Sequence, residues 1–132
     1  MFKTLVLLFL TVGLTFGAEL RWSTSYERAF HEAKEQEKGV LVVLTQVNCN
    51  ACFYMENIVF EDEAIIDTIS GEYITLNLDI HDDNLHGLTY KGTPTLYFLN
   101  MNGILLKRLD GVYNIKELTA AMKKIEKVEE DE

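Results

Sequence analysis

The sequence predicts an α/β domain, a mixed central sheet with helices on both faces. Three observations lead there. Val40 to Thr45, VLVVLT, is a continuous apolar run rich in β-branched residues, as in a strand covered on both sides. Helical and strand periods alternate along the chain in the order α, β, α, α, β, β, β, α, a pattern that builds layered sheets. Asn102-Gly103, between two strand-like runs, marks an antiparallel hairpin.

The elements follow in chain order. Residues 1–17, MFKTLVLLFLTVGLTFG, join one early cation, Lys3, to an apolar run too short to span a membrane comfortably. They read as a cleaved secretory signal. Cleavage after Gly17 is preferred to Ala18, which would set bulky Phe16 three residues before the cut. SYERAFHEAKEQEKG reads as a helix with Ser25 as N-cap and Gly39 as its stop; Tyr26, Ala29, Phe30 and Ala33 share one face. Trp22 is expected to pack on that helix. After the VLVVLT strand, ACFYMENIVF reads as helix and DEAIIDTIS as a second helical piece ending at Gly71. YITLNLDI (Tyr73 to Ile80), TLYFLN (Thr95 to Asn100) and ILLKRL are the remaining strands. Asn114 caps a last helix with Ile115, Leu118, Ala121, Met122 and Ile125 in a stripe. The domain thus spans 18–128, and 129–132, EEDE, is an acidic solvated tail.

A chain of 132 residues is one domain's worth. Without the leader it is about 115 residues, enough to bury roughly two thirds of its unfolded surface without a disulfide. The formal charge is −9, and loss of Lys3 leaves 11 basic against 21 acidic residues, −10. Such a domain is a poor ligand for nucleic acid or an anionic membrane surface. No stable membrane insertion is expected once the signal is removed.

Both cysteines stand in QVNCNACFYMEN, as Cys49 and Cys52. Haem attachment is excluded, because Phe53 occupies the place of the required histidine. A structural disulfide closing so small a loop adds little stability. A zinc or copper site remains open: Cys49 and Cys52 with His81 and His86 form C-x2-C…H-x4-H, although HDDNLHG is a polar loop where solvated histidines are the default. Met55 reads as core packing rather than as a soft ligand. A redox couple has positive support. Cys49 falls at a helix start, where unpaired N–H groups and the helix dipole favour its thiolate and bring its pKa below the free value of about 8.5. Cys52, one turn on, sits beneath it, so Cys49 attacks and Cys52 resolves.

The strand, the C-x-x-C at a helix start and the later GTPTLYFLN-x-NG segment together resemble the thioredoxin superfamily, more closely exported thioredoxin-like proteins of the SoxW and thioredoxin-related type. The likeness covers about Trp22 to Val128. It implies a thioredoxin-like fold and a cis proline at Pro94, the single proline, with Thr93 before it. Pro94 lacks an N–H and so limits ladder formation, leaving the Thr93 backbone to pair with an extended substrate beside Cys49.

The departures are as informative. Thioredoxins proper carry Trp before the first cysteine and Gly-Pro between the pair, where this chain has Asn48 and Asn50-Ala51. Their buried aspartate and its lysine partner match Val43 and Thr75. Glu56, one turn beyond Cys52, is a weak candidate base that reads as a solvated helix residue. The resulting expectation is an exported, periplasmic or secreted, thiol–disulfide oxidoreductase using Cys49 and Cys52, with Thr93 and Pro94 holding the substrate. It needs no cofactor, since the dithiol carries the electrons. Its partners would be a disulfide-containing exported protein and a membrane thiol reductase as electron donor. The alternatives are a non-catalytic binding or chaperone module on the same fold, and a soft-metal carrier.

Overall fold

The computed structural model describes residues 19–130; the expected signal, 1–17, and Asp131 and Glu132 lie outside them. Helix α1 (Tyr26–Gln36) precedes strand β1 (Gly39–Thr45), helix α2 (Asn50–Tyr54) and a π-helical continuation (Met55–Val59). Then come α3 (Glu63–Glu72), β2 (Tyr73–Asp79), β3 (Thr95–Leu99), β4 (Leu105–Asp110) and α4 (Ile115–Glu130). The four strands lie in the order β2-β1-β3-β4. β1 pairs with β2 in parallel and with β3 antiparallel, and β3 pairs with β4 antiparallel, so the sheet is mixed as expected. Among the described residues, no helix is long and apolar enough to cross a membrane.

Strand alternation explains why β1 is apolar throughout. Successive side chains point to opposite faces, and each face of β1 meets its own cluster. Leu41 and Val43 join Met55, Val59, Phe60, Ile65, Ile69, Leu118, Met122 and Ile125, which come from α2 to α4. Val40, Val42 and Leu44 join Ala29 and Ala33 of α1, together with residues of β2 and β3. A polar residue anywhere from Val40 to Leu44 would be desolvated without an obvious partner.

Local chemistry sets most boundaries. The Ser25 hydroxyl accepts from the Arg28 N–H and starts α1. Asp62 caps α3 through the Ile65 N–H at 3.0 Å. Asn114 and Glu117 form a reciprocal capping box at α4: the Glu117 N–H donates to Asn114 Oδ1 and the Asn114 N–H to Glu117 Oε2. Gly103, at φ 80°, supplies the left-handed residue in the β3–β4 turn.

Four expectations are corrected. Helix α1 stops at Glu37, which adopts the left-handed conformation, with the Lys38 N–H donating to the Ala33 carbonyl. Gly39 instead opens β1, where the Leu99 carbonyl and Tyr73 ring leave no room for a Cβ. Helix α3 runs through Gly71 to Glu72, and β2 follows without a loop. Trp22 lies edge-on to Phe60, at the far end of the π-helical turn, with ring centroids 5.9 Å apart, rather than on α1. Its backbone forms a parallel bridge to Thr75 at the sheet edge. Finally, α4 continues to Glu130 and takes in the first residues of the expected tail.

That extension carries a measurable cost. Partial burial at the end of α3, and then the Glu126 and Glu129 carboxylates of α4, raise the pKa of Glu72. The folded state therefore holds the Glu72 proton more tightly than the unfolded chain. Stability from this group is complete below the ordinary carboxylate range and is lost as pH rises through the raised folded value. Glu72→Gln should accordingly raise the melting temperature at pH 7 by about a degree or two, because screening at this exposed site limits the effect. The difference from wild type should close as the pH is lowered to about 4, as read by thermal unfolding at several pH values.

Candidate active site

Cys49 and Cys52 are joined as a disulfide, with Cα atoms 5.2 Å apart. The local sequence explains the placement. β1 ends at Thr45, and Asn48 takes the left-handed conformation, φ 59°, which asparagine tolerates better than most residues. That turn delivers Cys49 to the N-cap of α2. Its Sγ accepts from the Cys52 N–H at 3.1 Å, and its carbonyl accepts from the Phe53 N–H at 3.0 Å. Cys49 is partly exposed, whereas Cys52 is 3 % exposed. The first cysteine is thus the accessible one of the pair and the second is covered.

Thr93 and Pro94 come from the loop before β3, and the Thr93–Pro94 peptide bond is cis. The last registered β1–β3 pair is Leu44 with Thr95, so Thr93 lies beyond the ladder. β3 shapes this loop with its own side chains. The Thr95 hydroxyl donates to the Gly92 carbonyl at 2.7 Å, and the Tyr97 hydroxyl to the Thr89 carbonyl at 2.6 Å. The result sets the Thr93 hydroxyl 3.3 Å from Cys49 Sγ, as donor, and the Thr93 carbonyl 3.6 Å from the same sulfur. Residues 44 positions apart in sequence thus meet at one atom.

The remaining candidates separate. Val43 is fully buried in the apolar core, and its β2 neighbour is Asn77; Thr75 stands opposite Leu41 and donates to the Arg21 carbonyl at 2.7 Å. No acid–base pair occupies those positions. Glu56 is not simply solvated: it is half-buried and accepts from Asn77 Nδ2 at 3.2 Å, while Asn77 Oδ1 accepts from the Thr45 hydroxyl at 2.7 Å. Met55 is fully buried in the core. The two histidines part company. His86 stacks on Tyr26, ring centroids 3.9 Å apart, and His81 Nε2 lies 3.4 Å from Gln46 Oε1. Among the described residues, no group of three or more His, Cys, Asp or Glu side chains is arranged to hold a metal ion.

Sequence reasoning missed Gln46. Its amide donates to the Thr93 hydroxyl at 2.8 Å. The available signal was its place three residues before Cys49, in the turn leaving β1.

A C-x-x-C pair at a helix start, closed beside a threonine–cis-proline loop on this mixed sheet, defines a thiol–disulfide oxidoreductase of thioredoxin-like fold. The chain belongs to the thioredoxin-like domain family, whose model matches residues 26–126. Its structure is similar to a thioredoxin from Thermus thermophilus, at 21% identity over 81% of this chain and 87% of that one, TM-score 0.71. It is also similar to a putative disulphide-isomerase from Bacteroides thetaiotaomicron, at 23% identity over 83% and 93%, TM-score 0.70. A third likeness is to the periplasmic thioredoxin SoxS from Paracoccus pantotrophus in its reduced form, at 15% identity over 67% and 95%, TM-score 0.54. No curated protein matches the sequence significantly.

Proposed function

We propose that the protein is exported and reduces disulfides of other exported proteins. The carrying observation is the asymmetry of the sulfur pair, with Cys49 partly exposed at the N-cap and Cys52 buried behind it. In the reduced protein, Cys49 thiolate attacks one sulfur of a substrate disulfide. A new Cys49–substrate bond forms, the substrate disulfide breaks, and the departing sulfur takes a proton from solvent. Cys52 then loses its proton and attacks Cys49 Sγ, expelling the substrate's first sulfur as a thiolate and closing the Cys49–Cys52 bond. Two electrons pass to the substrate, and its second thiolate takes up the proton that Cys52 gave up.

Thr93 and Pro94 hold the substrate chain alongside Cys49. Val47 and Phe53 flank the cysteines and are 73% and 66% exposed, an apolar rim suited to an unfolded or extended protein segment. Export is supported by the signal-like leader 1–17 and by the periplasmic thioredoxin among the structural neighbours. In an oxidising compartment the oxidised couple must be recharged, and a membrane thiol reductase is the class of donor that does so.

Reduction of insulin by dithiothreitol, followed as precipitation of the freed B chain, tests the reading. The protein should accelerate precipitation well above the dithiothreitol background. A rate equal to background would instead favour a binding module that keeps the fold without the chemistry.

A further inference from the structure

Gln46 has no part in the exchange steps above, yet its side chain bridges two others at the site. It is half-buried at the exit of β1, and an amide has two ends of opposite character: the NH2 only donates and the carbonyl oxygen only accepts. Gln46 Nε2 donates to Thr93 Oγ1 at 2.8 Å. Gln46 Oε1 faces His81 Nε2 at 3.4 Å, a hydrogen bond in the histidine tautomer that carries its proton on Nε2. The Thr93 hydroxyl has a single proton. Because its oxygen receives Gln46, that proton is turned toward Cys49 Sγ, 3.3 Å away. Donors therefore run in one direction, from Gln46 through Thr93 to the sulfur.

We propose that Gln46 is a positioning residue for thiol–disulfide exchange: it aims the Thr93 hydroxyl at Cys49 and so stabilises the Cys49 thiolate. Without the amide, the hydroxyl rotates freely and spends its proton on solvent. A hydrogen bond to a charged acceptor is stronger than one to a neutral acceptor, so the orientation favours the thiolate over both the thiol and the disulfide. The inference rests on Cys49 being the attacking sulfur.

The test is the thiolate absorbance at 240 nm of the reduced protein, titrated with pH. Wild type, Gln46→Met, Thr93→Val and the double variant are compared, with the glutathione equilibrium measured on each. Gln46→Met keeps the length of the side chain and removes its donor. It should move the first thiol titration upward by about one pH unit. It should also shift the glutathione equilibrium about tenfold toward the disulfide, which is about 30 mV. Thr93→Val should do at least as much, and adding Gln46→Met to it should change nothing further, since the amide acts only through the hydroxyl. Gln46→Ala carries the same expectation should the methionine variant fail to fold.

A Gln46→Met titration within twofold of wild type overturns the proposal while leaving the exchange reading intact. So does an effect that adds fully to Thr93→Val. A wild-type protein with no thiolate titrating below the free cysteine value overturns both.

Discussion

Cys49→Ser should reduce insulin-reductase activity by about a thousandfold or more, to the dithiothreitol background, because it removes the attacking atom rather than a group that assists it. Cys52→Ser should behave differently. Its Cys49 still attacks, but nothing beneath it resolves the product, so a mixed disulfide accumulates on Cys49. The geometry motivates this contrast: Cys49 Sγ sits at the helix N-cap and receives the Cys52 N–H and the Thr93 hydroxyl, while Cys52 is 3 % exposed. Purification of Cys52→Ser from the cell that produces it, followed by non-reducing electrophoresis and mass spectrometry, should yield adducts released by dithiothreitol. Adducts on Cys49→Ser in place of Cys52→Ser would reverse the roles of the two sulfurs.

The reduction potential should lie nearer the roughly −270 mV of thioredoxin than the roughly −120 mV of the strong periplasmic oxidant. The difference of about 150 mV is about 7 kcal/mol for two electrons, large enough to set direction. An oxidant of that strength needs heavy stabilisation of its thiolate. Here the residues between the cysteines are Asn50 and Ala51, both uncharged, and the chain carries a net charge of −9. The Thr93 hydroxyl is a neutral donor. At about tenfold per such donor it raises the potential by only about 30 mV. Equilibration with glutathione should therefore give a value below about −180 mV. A higher value would place the couple with oxidising and isomerising proteins, and the reductase reading would fail.

Much of this architecture could be read from the chain because its signals are local. VLVVLT announced a strand covered on both faces, Ser25 and Asn114 announced helix starts, and Asn102-Gly103 announced the β3–β4 turn. Each depends on neighbours within a few residues. The misreadings have a common cause as well. Gly39 looks like a helix stop in isolation, but the close approach of Leu99 and Tyr73 from distant strands is what requires it. Trp22 looks like a companion of α1 until Thr75 pairs with its backbone and turns its ring to Phe60.

At the site, the cysteine spacing was plain in sequence. The contacts that gather His81, Gln46 and Thr93 beside Cys49 were not, since those three come from three separate loops. Glu56 was underrated for the same reason: its partner Asn77 belongs to β2. The π-helical turn from Met55 to Val59 carries no proline or glycine to announce it.

The position of β1 between β2 and β3 has a kinetic consequence. Its antiparallel partner arrives from about fifty residues downstream, so the pairing waits on a long loop closure, while the β3–β4 hairpin closes over a short one. Thr93 reaches Cys49 only when β3 has docked on β1. A nascent chain thus displays Cys49 and Cys52 before the hydroxyl that addresses them has arrived. The reactivity of Cys49 during refolding is therefore a clock for β3 docking, one that can be read by quenching with alkylating agent at timed intervals, with no spectroscopic label added.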